Sequence, residues 1–184
     1  MGKIFIFNMI SVDGYFAGSK NELDWHNVDV EFNDFSIEQL KDVKLIMYGR
    51  VTYEMMANFW PTDFAVKNNP VVAAIMNDTP KAVVSSTLKE AKWDHTRIIG
   101  NNFKDEISKI KVESNSEIAV FGSSRLSVDL IKWGLADEIR VMVNPVLLGE
   151  GRPIFKGLDN QYKLKLIDNR IFNSGNVLLT YTAN

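Results

Sequence analysis

Apolar and polar positions along this chain fall into two recurring kinds of segment. Short runs dense in β-branched and aromatic residues predict strands, and stretches with apolar residues three or four apart predict helices. Lys3 to Ile10 reads as a buried strand. Ser11 to Gly18 holds two glycines and an aspartate and reads as a loop, yet Val12, Tyr15 and Phe16 are too apolar for a purely solvated one. Such a loop often lies against a ligand. Val28 to Lys41 reads as a helix, with Phe32, Phe35 and Gln39 near one face and Asn27 or Asp29 as its cap. Val43 to Tyr48 is a second strand that stops at Gly49, and Thr52 to Asn58 is a short helix ending before Trp60-Pro61. Phe64 to Asn77 reads as one helix with Pro70 near an N-terminal turn. Strands follow at Pro80 to Ser85, Thr96 to Ile99 and Glu117 to Phe121, with a helix at Phe103 to Val112 that turns Phe103, Ile107 and Ile110 inward. Ser124 to Trp133 is the last helix, closed by Gly134.

The pattern then changes. Glu138 to Val143 is a strand, and an irregular stretch runs from Asn144-Pro145 through Gly151-Arg152-Pro153. Tyr162 to Phe172 and Val177 to Thr182 are strands joined at Asn173-Ser174-Gly175-Asn176, a strong hairpin signal. Alternating strands and helices followed by an antiparallel end describe a three-layer α/β domain with a mixed central sheet. The 184 residues fit one domain spanning the chain.

Composition removes several classes of function. A net charge of -2 gives no basic field to draw nucleic acid or an anionic membrane. No apolar run approaches a membrane span, so a cytoplasmic protein is expected. There is no cysteine, which removes disulfides, thiol catalysis and cysteine zinc sites. His26 and His95 lack metal-ligand spacing, so no metal is expected, and His26 reads as a surface histidine.

Two strand–glycine–helix turns carry the candidate chemistry: Gly49-Arg50-Val51-Thr52 and Gly122-Ser123-Ser124-Arg125. Free N–H groups at a helix start suit an anion, and an arginine fork matches phosphate oxygens. Thr52, Ser123 and Ser124 offer hydroxyls, although glycine and serine also build turns that hold no ligand. Ser85-Ser86-Thr87 adds hydroxyls at a third strand end, where loop capping is the plainer reading. Asp29 and Glu31 follow Trp25 at the start of the first helix. A carboxyl partly buried there by Trp25, Phe32 and Phe35 could supply a proton. On spacing alone, a first-turn acid favouring the helix dipole is the better reading.

In this order the pieces ISVDGYFAG, LDW, LIMYGRVTYEMM, FWP, PKAVVSSTL and IAVFGSSRLSVDLIKWGLADEIRVMVNPVLLGEGRPIF resemble the dihydrofolate reductase-like superfamily. More narrowly they resemble the branch related to the C-terminal reductase domain of the bifunctional riboflavin-biosynthesis deaminase/reductase. The resemblance implies NADPH across the strand ends and hydride transfer to a small heterocycle, nearest in class to 5-amino-6-(5-phosphoribosylamino)uracil. It implies that Gly49, Arg50, Val51 and Thr52 contact the cofactor phosphates, and that Ser85 and Ser86 lie near the adenosine 2′-phosphate. Gly122, Ser123, Ser124 and Arg125 would pass over the pyrophosphate, and Val12, Phe16 and Ala17 along the nicotinamide. Ser123 stands where the family has the second glycine of a pair that is cis in folate reductases. Trp25, Glu31 and Phe35 are similar in spacing to the Trp, acid and Phe of vertebrate-type folate reductases, with Asp29 the other candidate acid. The missing Pro after Trp25 speaks against folate as the substrate. A homodimer through the C-terminal strands is also implied. The alternatives are dihydrofolate reductase activity and a nucleotide-binding module that keeps the fold without turnover. A generic Rossmann dehydrogenase fits poorly, since the first glycine turn follows the second strand.

Overall fold

The computed structural model describes residues 1–183. Its elements in chain order are β1 (Lys3–Ser11), β2 (Tyr15–Ala17), α1 (Val30–Leu40), β3 (Val43–Gly49), α2 (Arg50–Phe59), α3 (Asp63–Asn68), α4 (Pro70–Asp78), β4 (Lys81–Val84), β5 (Thr96–Ile99), α5 (Phe103–Glu113), β6 (Glu117–Phe121), α6 (Ser124–Lys132), β7 (Glu138–Asn144), β8 (Arg152–Pro153), β9 (Leu164–Ile171) and β10 (Val177–Ala183). The main sheet runs β5-β4-β3-β6-β1-β7-β10-β9. From β5 to β7 every pairing is parallel, while β7–β10 and β10–β9 are antiparallel. This is the mixed sheet with a C-terminal antiparallel hairpin that the pattern predicts.

The alternation of β1 sorts its side chains to two faces. Phe5, Phe7 and Met9 join Tyr48, Phe121, Phe35 and Met76 in one core beneath α1, α2 and α4. Ile4 and Ile6 join Val120, Ile107, Leu126 and Leu130 in the other, beneath α5 and α6. Both faces of the central strands are therefore buried, which is why β1, β3 and β6 read as continuous apolar runs.

Three expectations need correction. The single helix expected over Phe64 to Asn77 is two, α3 and α4. Asn69 leaves helical geometry between them, and Pro70 starts α4 at the position where its missing N–H costs nothing. The irregular stretch after Asn144 contains β8, which pairs antiparallel with β2. Gly151 permits the approach, since a Cβ there would lie 2.6 Å from the Ala17 carbonyl oxygen. The strand expected from Tyr162 begins at Leu164.

Candidate active site at the strand carboxyl ends

The order β4-β3-β6-β1 sets four parallel carboxyl ends side by side, along about 14 Å of edge at roughly 4.8 Å per strand. The two glycine turns are central neighbours there. Gly49 is the N-cap of α2 and Ser123 the N-cap of α6, and neither helix receives a side-chain cap. Their first-turn N–H groups therefore stay available to an anion. α1 is capped by Asp29 and α3 by Thr62, whereas α4 and α5 also lack a side-chain cap; α2 and α6 are set apart by starting directly from the neighbouring strands β3 and β6.

The turns also touch. A Cβ on Gly49 would lie 1.9 Å from Ser123 Oγ and 3.2 Å from Ser123 Cβ, and one on Gly122 would lie 3.0 Å from Thr52 Cγ2. Glycine at 49 leaves room for the Ser123 side chain, and buried Thr52 fills the space beside Gly122. Gly122 and Ser123 both adopt left-handed backbone (φ 59° and 65°), and all peptide bonds among the described residues are trans. Glycine accepts that conformation freely; serine bears about 1–2 kcal/mol for it.

Other sequence-predicted residues divide into exposed groups and groups already engaged. Val51 is exposed, and the Arg50 guanidinium lies on the outer face of α2, ion-paired to Glu54 at 3.0 Å. Arg125 is exposed and pairs with no carboxylate among the described residues. The Ser124 hydroxyl donates to the Ile154 carbonyl at 2.6 Å and so fastens the loop after β8 to α6. Ser85 Oγ accepts from the Thr87 and Leu88 N–H groups and closes its own turn, which leaves exposed Ser86 as the open hydroxyl at that strand end. Val12 is exposed, Phe16 half-buried and Ala17 buried on β2. Asp13 anchors this loop by accepting from the Leu148 and Gly149 N–H groups. The Ser11 hydroxyl and those two amides hold its carboxyl below the usual range.

The carboxylates near α1 are engaged as well. Asp29 accepts from the Phe32 N–H at 2.8 Å as the helix cap. Glu31 Oε2 accepts from Asn173 N at 2.8 Å and Asn173 Nδ2 at 3.1 Å, with Arg170 3.9 Å from its other oxygen. Phe35 is buried against Phe7 and Phe172. Trp25 packs edge-on against His26 at 4.4 Å and donates its indole N–H to the Glu22 carbonyl. His26 is not the surface residue expected: its Nε2 is closed off from solvent, and burial pulls its pKa down to about 4.

Sequence reasoning also missed three asparagines. Asn144 Oδ1 accepts from the Asn27 N–H, Asn27 Nδ2 donates to the Ser174 carbonyl, and Asn176 Nδ2 donates to the Asn27 carbonyl, each at 2.9 Å. Asn144 and Asn176 are both 0% exposed. Together they tie the segment entering α1 to the end of β7 and to the tip of the β9–β10 hairpin. Asparagines in irregular segments have no periodicity to reveal them; the sequence marks Asn176 by its hairpin, Asn144 by the turn before Pro145, and Asn27 as a helix-cap candidate, a place that Asp29 takes instead.

An open mixed sheet, paired uncapped helix starts at its carboxyl edge and a C-terminal antiparallel hairpin define a dihydrofolate reductase-like α/β protein. The chain belongs to the RibD C-terminal domain family, whose model matches residues 2–180. It is 29% identical over 177 residues to the uncharacterized protein YyaP of Bacillus subtilis (strain 168), covering 95% of this chain and 92% of that one. Among solved structures, a putative riboflavin biosynthesis protein from Shewanella sp. PV-4 superposes with a TM-score of 0.77 at 22% identity, covering 99% of both chains. Dihydrofolate reductase from Enterococcus faecalis, solved with NADP(H), superposes with a TM-score of 0.66 at 17% identity over 100% of this chain and 97% of that one. No helix among the described residues is long and apolar enough to cross a membrane.

Proposed function

We propose that this protein is a cytoplasmic, NADPH-dependent reductase of riboflavin-biosynthesis type. Its substrate would be a small electron-poor heterocycle, nearest in class to 5-amino-6-(5-phosphoribosylamino)uracil. The observation that carries the reading is the pair of uncapped helix starts, α2 and α6, in contact at Gly49 and Ser123. Two such ends side by side suit the two phosphates of a dinucleotide. Arg125 supplies charge there, while Arg50, once released by Glu54, reaches with the Ser86 hydroxyl toward the adenosine 2′-phosphate. When bound, the nicotinamide supplies the hydride. The loop Val12 to Ala17, anchored by Asp13, would border it. Trp25 and Phe35 would flank the substrate, and Glu31 or Asp29 would deliver the proton.

A second reading, nucleotide binding without turnover, is favoured by one observation: Asp29 already caps α1 and Glu31 already holds Asn173. Fluorescence titration with NADPH and NADH separates these readings. No binding at near-millimolar NADPH would sink both, whereas binding without oxidation across pterins and pyrimidinediones selects the second. Arg50→Ala is expected to weaken NADPH at least about tenfold and NADH little, because a charge-assisted bond to phosphate is lost. Equal weakening would assign Arg50 to the pyrophosphate or to the turn itself.

The reading includes a homodimer through β9. Among the described residues that strand has no neighbour on its outer side, and it exposes Leu164, Leu166, Ile167 and Ile171, with Ile171 75% exposed. An edge of this kind invites pairing with a second chain. Light scattering is expected to give a dimer mass, and Leu166→Lys with Ile171→Lys a monomer.

A further inference from the structure

Three polar atoms at the hairpin tip and the entry to α1 have no hydrogen-bond partner and no contact with solvent: His26 Nε2, Ser174 Oγ and Asn176 Oδ1. Their residues are linked through Asn27. Asn27 follows His26 in the chain, bonds the Ser174 carbonyl through its own amide, and receives the Asn176 amide on its carbonyl. The Asn176 amide is oriented by that bond, which leaves its oxygen as the unused acceptor. Buried polar atoms are nearly always paired, so three orphans in one cluster need an explanation.

The cluster is uncharged. Burial keeps His26 neutral. The nearby carboxylate, Glu31, is taken up by Asn173 and faces Arg170, and Asp29 is taken up as a helix cap. What remains is an acceptor on Asn176, a donor–acceptor hydroxyl on Ser174 and a neutral imidazole nitrogen on His26. That set complements a ring –CO–NH– edge, which presents one acceptor beside one donor. It does not suit an amidinium-type edge, which asks for a carboxylate.

We propose that His26, Ser174 and Asn176 form the specificity site that reads the neutral amide edge of the heterocyclic substrate. This rests on the reductase reading above and assigns three residues to its substrate. The cluster lies at the carboxyl end of β7, beside Trp25 and on the edge where the cofactor turns lie. The segment 19–26 that carries His26 pairs with no strand. Among the described residues its hydrogen bond beyond its own loop is Ser19 to Glu150. When that segment swings aside it uncovers Ser174 and Asn176, and His26, which it carries, closes over the bound edge as it returns.

The test uses the full chain, with and without NADPH, and two probes: 5,6-diaminouracil, which carries the –CO–NH– edge, and 2,4-diaminopyrimidine, which does not. Calorimetry is expected to show at least tenfold tighter binding of the uracil, because the wrong edge leaves buried polar groups unpaired, on the order of tenfold per lost bond. Ser174→Ala is the cleanest variant, since Ser174 Oγ makes no bond in the free protein. It is expected to reduce uracil affinity about five- to tenfold, leave NADPH affinity within about twofold, and leave Tm unchanged or raised. Asn176→Ala is expected to lose more. Equal binding of the two probes, no uracil binding, or unchanged affinity in Ser174→Ala would each overturn the site and make the three atoms internal solvent positions. Uracil recognition without any NADPH binding would instead sink the reductase reading and leave the site standing.

Discussion

Gly49→Ala is expected to weaken NADPH binding at least about tenfold while the protein stays folded. The added methyl would lie 1.9 Å from Ser123 Oγ and 3.2 Å from Ser123 Cβ, so the hydroxyl must rotate away and the Cβ must give by a few tenths of an ångström. Ser123 is already held in left-handed backbone, so that shift is passed to the start of α6. The first-turn N–H groups of α2 and α6 would then no longer converge on one ligand. Ser123→Gly in the same chain is expected to recover most of the loss, because it removes the clashing hydroxyl and relieves the strained φ together. Titration of wild type, both single variants and the double variant makes a cycle. A double variant no better than Gly49→Ala would show that the contact between the turns is not what shapes the site.

Lys81→Met is expected to destabilise the fold by about 3–5 kcal/mol, read by urea unfolding. The Lys81 side chain is buried, with the residue 1% exposed. Its ammonium donates to the carbonyls of Met76, Asn77 and Thr79 at 3.0, 2.8 and 2.7 Å, closing the C-terminal end of α4. It also stands 4.4 Å over the Trp93 ring, whose indole N–H is bonded to Asn77. A methionine fills the volume and leaves three carbonyls unpaired. Burial pulls the Lys81 pKa down to about 8, with Asp78 and Asp94 opposing. Between pH 8 and the usual lysine value of about 10.5, the unfolded chain holds a proton the native state has released. Stability attributable to Lys81 therefore rises with pH through that window and is flat below it. The difference in unfolding free energy between wild type and Lys81→Met should widen from pH 8 to pH 10. A constant difference would mean that Lys81 titrates normally.

The sheet, its change to antiparallel pairing and the two glycine turns are legible in the chain because each rests on local chemistry. Runs such as KIFIFNMI and EIAVF declare buried strands, and a glycine followed by a serine or arginine declares a helix start. Features that depend on distant partners were harder to read. Lys81 sits at the head of PKAVVS, where a lysine normally marks solvent, and only the arrival of α4 buries it. Ser85 and Ser124 have the right residue type for phosphate contacts, yet nearer backbone groups claim both hydroxyls. Glu31 keeps its suggestive distance from Trp25 but meets Asn173, 142 residues along the chain. Asn27, Asn144 and Asn176 acquire meaning only when three separate loops meet.

The position of β1 in the sheet bears on how the protein is made. It is the first strand in sequence but lies in the middle of the sheet, between β6 and β7. On a ribosome adding about 5–20 residues per second, KIFIFNMI waits roughly 6–20 s before residues 117–121 emerge to pair with it. Until then a sticky, two-faced strand has no native neighbour, while β3, α2 and α4 can already begin to pack. Such long-range closure slows folding and leaves a long interval in which the strand can aggregate. Placing β1 after β10 by circular permutation, so that it emerges with β6 and β7 already made, should raise the soluble yield of a cell-free synthesis with the finished sheet unchanged.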